Sequence, residues 1–129
     1  MIARVSLLAL LALAALLASG CKDDPSGPGE LQGRLQAPHS ALGAAVLEIQ
    51  GQGIRDFSGA GNTRVFSAAT TTPDTYRVIL LNETPGELTF RVSVEDVGMK
   101  KPVGTVVSVV DGNNAPVPVT GDFRTRFSR

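Results

Sequence analysis

The chain has no tryptophan, one tyrosine, one cysteine and one histidine in 129 residues. A single cysteine cannot close an intrachain disulfide, so any fold must be held by its apolar core. Cys21 and His39 together cannot build a metal site from the usual His and Cys donors. The aromatics are Tyr76 and five phenylalanines: Phe57, Phe66, Phe90, Phe123 and Phe127. Most are expected in the core, leaving no stacking platform for a sugar. Neither sign of charge is in excess, with 12 basic and 12 acidic residues. Nucleic-acid binding draws on clustered Lys and Arg. Here the basic residues are scattered along the chain, and the one adjacent pair, Lys100-Lys101, reads as a solvated turn. No nucleic-acid partner is expected.

Catalytic constellations are equally sparse. A nucleophilic triad needs a base beside a Ser, Cys or Thr. His39 is followed by Ser40, but neighbours along a strand point to opposite faces, so His39 reads as a polar loop residue. Paired carboxylates that flank a glycosidic bond must stand apart across it. Glu95-Asp96 and Asp23-Asp24 are adjacent in sequence and cannot. Calcium takes six to eight oxygens. The best cluster for it is Asp111-Gly112-Asn113-Asn114, assisted by Glu95-Asp96. Its spacing is not that of an EF-hand loop, and a hairpin turn is the favoured reading. Gly51-Gln52-Gly53 has no helix pattern after it, so it is a turn and not a phosphate loop. No enzyme activity, cofactor or small-molecule substrate is expected.

What is present begins at the N-terminus. Residues 1–20 read as a secretory signal. Arg4 gives a positive start, and residues 5–17 are apolar except for Ser6. That run is 13 residues long, short of the roughly 20 that span a bilayer. Polar Lys22, Asp23 and Asp24 follow soon after. The run Ala18-Ser19-Gly20-Cys21 resembles the lipobox of bacterial lipoproteins, with Ala18 where that family usually has Leu. The resemblance implies cleavage between Gly20 and Cys21, lipidation of Cys21, and a membrane anchor. It also implies a place in the cell envelope, with the outer membrane favoured because Lys22 stands where Asp would favour the inner one. Ordinary cleavage after Ala18-Ser19-Gly20 would instead release a soluble secreted protein. Removal of residues 1–20 leaves 11 basic against 12 acidic side chains.

Residues 21–29 read as the lipidated cysteine and a flexible linker, since Lys22-Asp23-Asp24-Pro25-Ser26-Gly27-Pro28-Gly29 cannot build a core. Eight such residues reach at most about 26–29 Å.

Residues 30–129 show strand patterning. Leu88, Phe90, Val92 and Val94 alternate with Thr89, Arg91 and Ser93, the period of a half-buried strand. Residues 76–81 are apolar on both faces but for Arg77, which predicts a central strand. Residues 103–110 are rich in β-branched side chains. Phe123, Thr125 and Phe127 alternate with Arg124, Arg126 and Ser128, so the last strand should show its arginines to water. Residues 31–36, 44–50 and 64–68 are further strands. Turn chemistry separates them at Gly51-Gln52-Gly53, Gly59-Ala60-Gly61-Asn62, Thr72-Pro73-Asp74, Glu83-Thr84-Pro85-Gly86 and Asp111-Gly112-Asn113-Asn114. No helical period follows residue 30. Seven or eight short strands in about 100 residues predict one antiparallel β-sandwich, immunoglobulin-like in size and rhythm. A membrane barrel is not expected, for want of strand length and aromatic girdles.

The stretches AAVLEIQGQGI, YRVILLNETPGELTFRVSVEDV and VGTVVSVVDGNN resemble, in their order of strands and turns, short cohesin-like lipoproteins. The resemblance implies a β-sandwich with a protein-binding face. Two functions follow as alternatives. A module that binds or assembles with another envelope protein should expose an apolar patch or an uncovered edge strand. A structural envelope component without a ligand should be uniformly polar. A pocket with acids converging on His39 would point instead to a hydrolase.

Overall fold

The computed structural model describes residues 24–39 and 41–129. The signal segment, Gly20, Cys21 and Ser40 lie outside the described residues. The described chain is all-β: β1 (Gly29–Gln36), β2 (Leu42–Gln50), β3 (Ile54–Gly59), β4 (Thr63–Ala69), β5 (Thr75–Gly86), β6 (Thr89–Val94), β7 (Val103–Asp111), β8 (Pro116–Val117) and β9 (Arg124–Ser128). Two sheets pack face to face as a β-sandwich, with strand orders β3-β6-β1-β9 and β4-β5-β2-β7-β8. Every pairing is antiparallel.

The period-2 pattern decides which side chains enter the core. β1 and β6 of the first sheet send in Leu31, Leu35, Phe90, Val92 and Val94. β2, β5 and β7 of the second send in Ala45, Leu47, Ile49, Val78, Leu80 and Val109. Leu88 closes one end from the loop between β5 and β6. Gly33 belongs to this inner layer. It stands opposite Phe90 on one side and Phe127 on the other. A side-chain carbon at position 33 would overlap the Phe90 ring. The bare glycine leaves room for the two rings to meet edge to face, centroids 5.9 Å apart.

Several expectations are corrected. β3 was not expected, because only Phe57 of its six residues is buried and Arg55-Asp56 interrupts the alternation. β8, two residues long, leaves no periodic trace. Glu83-Thr84-Pro85-Gly86 is not a turn but the end of β5. β4 reaches along β5 only to Asn82, so the missing N–H of Pro85 breaks no ladder there. The linker also ends sooner than residue 29. Asp96, after β6, accepts hydrogen bonds on Oδ1 from the Gly27 N–H (2.9 Å) and the Gly98 N–H (2.8 Å). Val97 N–H returns a bond to the Gly27 carbonyl at 2.9 Å. Gly27 takes a φ of +86°, where a side chain is strained. The chain is therefore fastened to the domain from Gly27 onward.

Candidate functional site

The outward side chains of the five-stranded sheet form rows fixed by register. Phe66 of β4 stands beside Ile79 of β5, Val46 of β2 and Ser108 of β7. The next row runs Arg64, Leu81, Ala44 and Val110. A register shift between Val46 and Leu47 in the β2–β7 ladder gives β7 one extra residue. Val107 and Ser108 are both exposed as a result. Phe66 is 56% exposed, Val107 45%, and Ile79 and Leu81 each 39%. Ala44, Val46, Ile79, Ser108 and Val110 line a shallow depression of about 90 Å³ in the middle of this face.

This face is apolar at its centre and charged at its margins. Arg77 pairs with Glu48 across β5 and β2 at 3.4 Å, and Arg64 pairs with Glu83. Each pair couples one cation with one anion, so the rim is balanced. All four side chains are about half exposed or more, and such pairs contribute little to stability. β5 is thus a central strand as expected, but only one of its apolar faces is buried.

The outer face of the four-stranded sheet has the opposite character. Its rows are Gln36 with Arg124, Arg34 with Arg126, Gln32 with Arg91, and Glu30 with Ser93. Arginines scattered in sequence are gathered here by register, and β9 shows its arginines to water as expected. Arg126 donates to Gln36 Oε1 at 3.0 Å, and Arg34 lies 3.9 Å from Glu87.

The residues first considered for chemistry do not converge. His39 is exposed, with its ring edge-on to Phe123 at 6.5 Å between centroids. It borders one depression with Glu87 and another with Asp111. Among the described residues, no hydrogen bond joins His39 to either acid. Glu87 faces Arg34, and Asp111 Oδ1 accepts the N–H groups of Asn113 (2.9 Å) and Ala115 (3.0 Å). Asp111-Gly112-Asn113-Asn114 is therefore a hairpin turn, with Asn114 at a φ of +60°. Glu95-Asp96 cannot assist it as a ligand. The nine residues of β7 separate the two ends of the sandwich, a span of about 30 Å. Among the described residues no group of three or more His, Cys, Asp or Glu is placed to hold a metal ion.

Asp96 sits in a distinct electrostatic environment. Hydrogen bonds from the Gly98 and Gly27 N–H groups, with Arg129 nearby, hold its carboxyl below the usual carboxylate range. Those bonds explain it as a fastening for the chain and not as a reactive group.

Sequence reasoning missed Phe66, which it placed with the core aromatics. The signal was there: Phe66 shares its side of β4 with Arg64 and Ala68, while Val65 and Thr63 lie on the other. No family model, curated protein or solved structure matches the chain.

Proposed function

We propose that this protein is a non-enzymatic lipoprotein of the cell envelope, anchored through Cys21, whose β-sandwich binds another envelope protein. The observation that carries the binding half is the apolar outer face built on Phe66, Ile79, Val46, Leu81 and Val107. Contiguous exposed apolar area of this kind marks interaction sites in soluble domains. A purely structural component would have no use for it. The immunoglobulin-like rhythm and the resemblance to cohesin-like modules favour the same reading. The partner it fits offers an apolar centre, with mixed charges to meet Arg64, Glu83, Arg77 and Glu48 at the rim.

The anchor half rests on the residues up to Cys21. The lipobox resemblance implies acyl chains there, and one chain alone would hold the domain weakly. With Gly27 fastened, the leash from Cys21 is shorter than the eight residues first counted. The domain would be held close to the membrane surface, on the outer membrane where the cell has one.

A photo-crosslinking amino acid at position 79 of the full chain, in intact envelopes, tests the binding half. Crosslinking to a protein of different mass is expected at position 79 and not at position 91 on the arginine-bearing face. Its absence at 79 would remove the binding reading. Palmitate labelling tests the anchor separately. Label retained by the Cys21→Ala variant would remove the anchor reading and leave the binding reading standing.

A further inference from the structure

The four sheet edges are not alike. β8 is two residues long, contains Pro116 and covers only Val109 and Val110 of β7, whose remaining edge carries the bulge at Val107. β9 is five residues long and carries exposed Arg124 and Arg126. β3 has a register break between Ile54 and Asp56 and the charged pair Arg55-Asp56. Shortness, charge, proline and bulges are the devices that keep an edge from pairing with another chain. β4 has none of them beyond one arginine. Its seven residues, Thr63–Ala69, run in unbroken register with β5, and Arg64 is already paired with Glu83.

The direction of its free hydrogen-bonding groups can be read from the flanking bonds. Glu83 N–H donates to the Asn62 carbonyl, and Thr70 N–H to the Thr75 carbonyl. In an antiparallel ladder the bonded residues alternate. Arg64, Phe66 and Ala68 therefore turn their backbone groups toward β5, and Val65, Ser67 and Ala69 turn theirs outward. Thr63 adds nothing to this edge: its N–H is taken by the Ala60 carbonyl, and its own carbonyl is covered by Gly59.

We propose that β4 pairs with β4 of a second copy of this chain, antiparallel about Phe66, joining the two five-stranded sheets into one. In this register Val65 lies opposite Ser67 of the copy and Thr63 opposite its Ala69. About four backbone hydrogen bonds then form, from the outward N–H and carbonyl groups of Val65 and Ser67 on each copy. Phe66 faces Phe66, and Arg64 faces Ala68. The register that would set Arg64 against Arg64 is disfavoured by direct like-charge opposition. The apolar row of each copy then becomes continuous: Val46, Ile79, Phe66, and the same three in reverse. The pairing goes beyond the binding reading above and makes no use of the anchor.

Phe66–Phe66 and Arg64–Ala68 fall at non-bonded positions, where opposed Cα atoms approach to about 4.5 Å, close enough for a disulfide. The test is oxidative crosslinking of the full chain in membranes, read on non-reducing gels. Phe66→Cys, an exposed position that leaves the core intact, should give about tenfold more covalent dimer than Val103→Cys on the same face, because only the former meets disulfide geometry. Arg64→Cys co-expressed with Ala68→Cys should crosslink, and neither should do so alone. The proposal is overturned if Phe66→Cys gives no more dimer than Val103→Cys, or if it crosslinks only to a protein of another mass. Dimer in the unsubstituted chain would report a free Cys21 thiol and so count against the anchor, and the comparison between positions 66 and 103 would still decide the pairing.

Discussion

The Phe90 ring lies over Gly33, directly across the β1–β6 ladder, in the space a side chain would otherwise fill. Gly33 is buried in the inner layer, so the ring cannot move aside without disturbing Phe127, which meets it edge to face. Gly33→Ala is expected to destabilise the fold by about 1–3 kcal/mol through overpacking. Phe90→Ala should cost about 3–5 kcal/mol through lost burial and the cavity left behind. Urea unfolding of both variants checks this. A Gly33→Ala protein as stable as the parent would show that the ring does not occupy that space.

Leu80 and Leu81 are neighbours in β5 with opposite fates, one fully buried and one on the apolar outer face. Leu80→Ala should cost about 2–5 kcal/mol. Leu81→Asn should stay within about 0.5 kcal/mol of the parent, while weakening partner crosslinking from position 79. Equal losses of stability at the two positions would mean that the outer face is covered within the molecule.

Thr125 Oγ1 is buried with no hydrogen-bond partner among the described residues, on a side chain packed against Gly104. An unmet hydroxyl costs about 1–3 kcal/mol of desolvation. Thr125→Val keeps the shape and removes the hydroxyl. It should unfold at equal or higher urea concentration, with a gain on the order of 1 kcal/mol. A clear loss would reveal a partner for that oxygen.

Asp96 is bound in the folded chain by two N–H donors, with Arg129 nearby, and its carboxyl titrates below its unfolded value. The sign follows from linkage: the bonds stabilise above the unfolded pKa and are lost as pH falls through the lower folded pKa. Protection of the Gly27 and Gly98 amides, relative to the intrinsic exchange rate at each pH, should be high at neutral pH and should fall in that acidic window. Asp96→Ala should lack this protection at both amides at every pH. Protection at Gly27 that ignores both pH and the substitution would mean that the chain is not fastened there.

The sandwich was legible wherever a strand buried one face and wetted the other. β6, β9 and most of β2 followed the alternation directly. β3 was not legible, because an edge strand that buries only Phe57 carries a signal one residue wide. Pro85 read as a turn because the sequence does not say where a neighbouring strand stops. The apolar outer face was half legible. Ile79 and Leu81 were seen as apolar, but burial on both sides was the natural inference until register placed them beside exposed Phe66. The fastening of Gly27 by Asp96 joins residues 69 apart, and no local pattern announces it.

The chain enters the fold through β1, which is an interior strand, hydrogen-bonded to β6 on one side and β9 on the other. This has a mechanical consequence. A pull along the leash runs first into the Gly27–Asp96 fastening and then along the axis of β1. Two ladders then meet the load together, in shear, with their hydrogen bonds strained in parallel instead of being unzipped one at a time from an edge. The apolar face belongs to the other sheet, so tension between a bound partner and the leash would cross the thickness of the sandwich through its core. On the proposed reading the domain would be held from one sheet and gripped by the other.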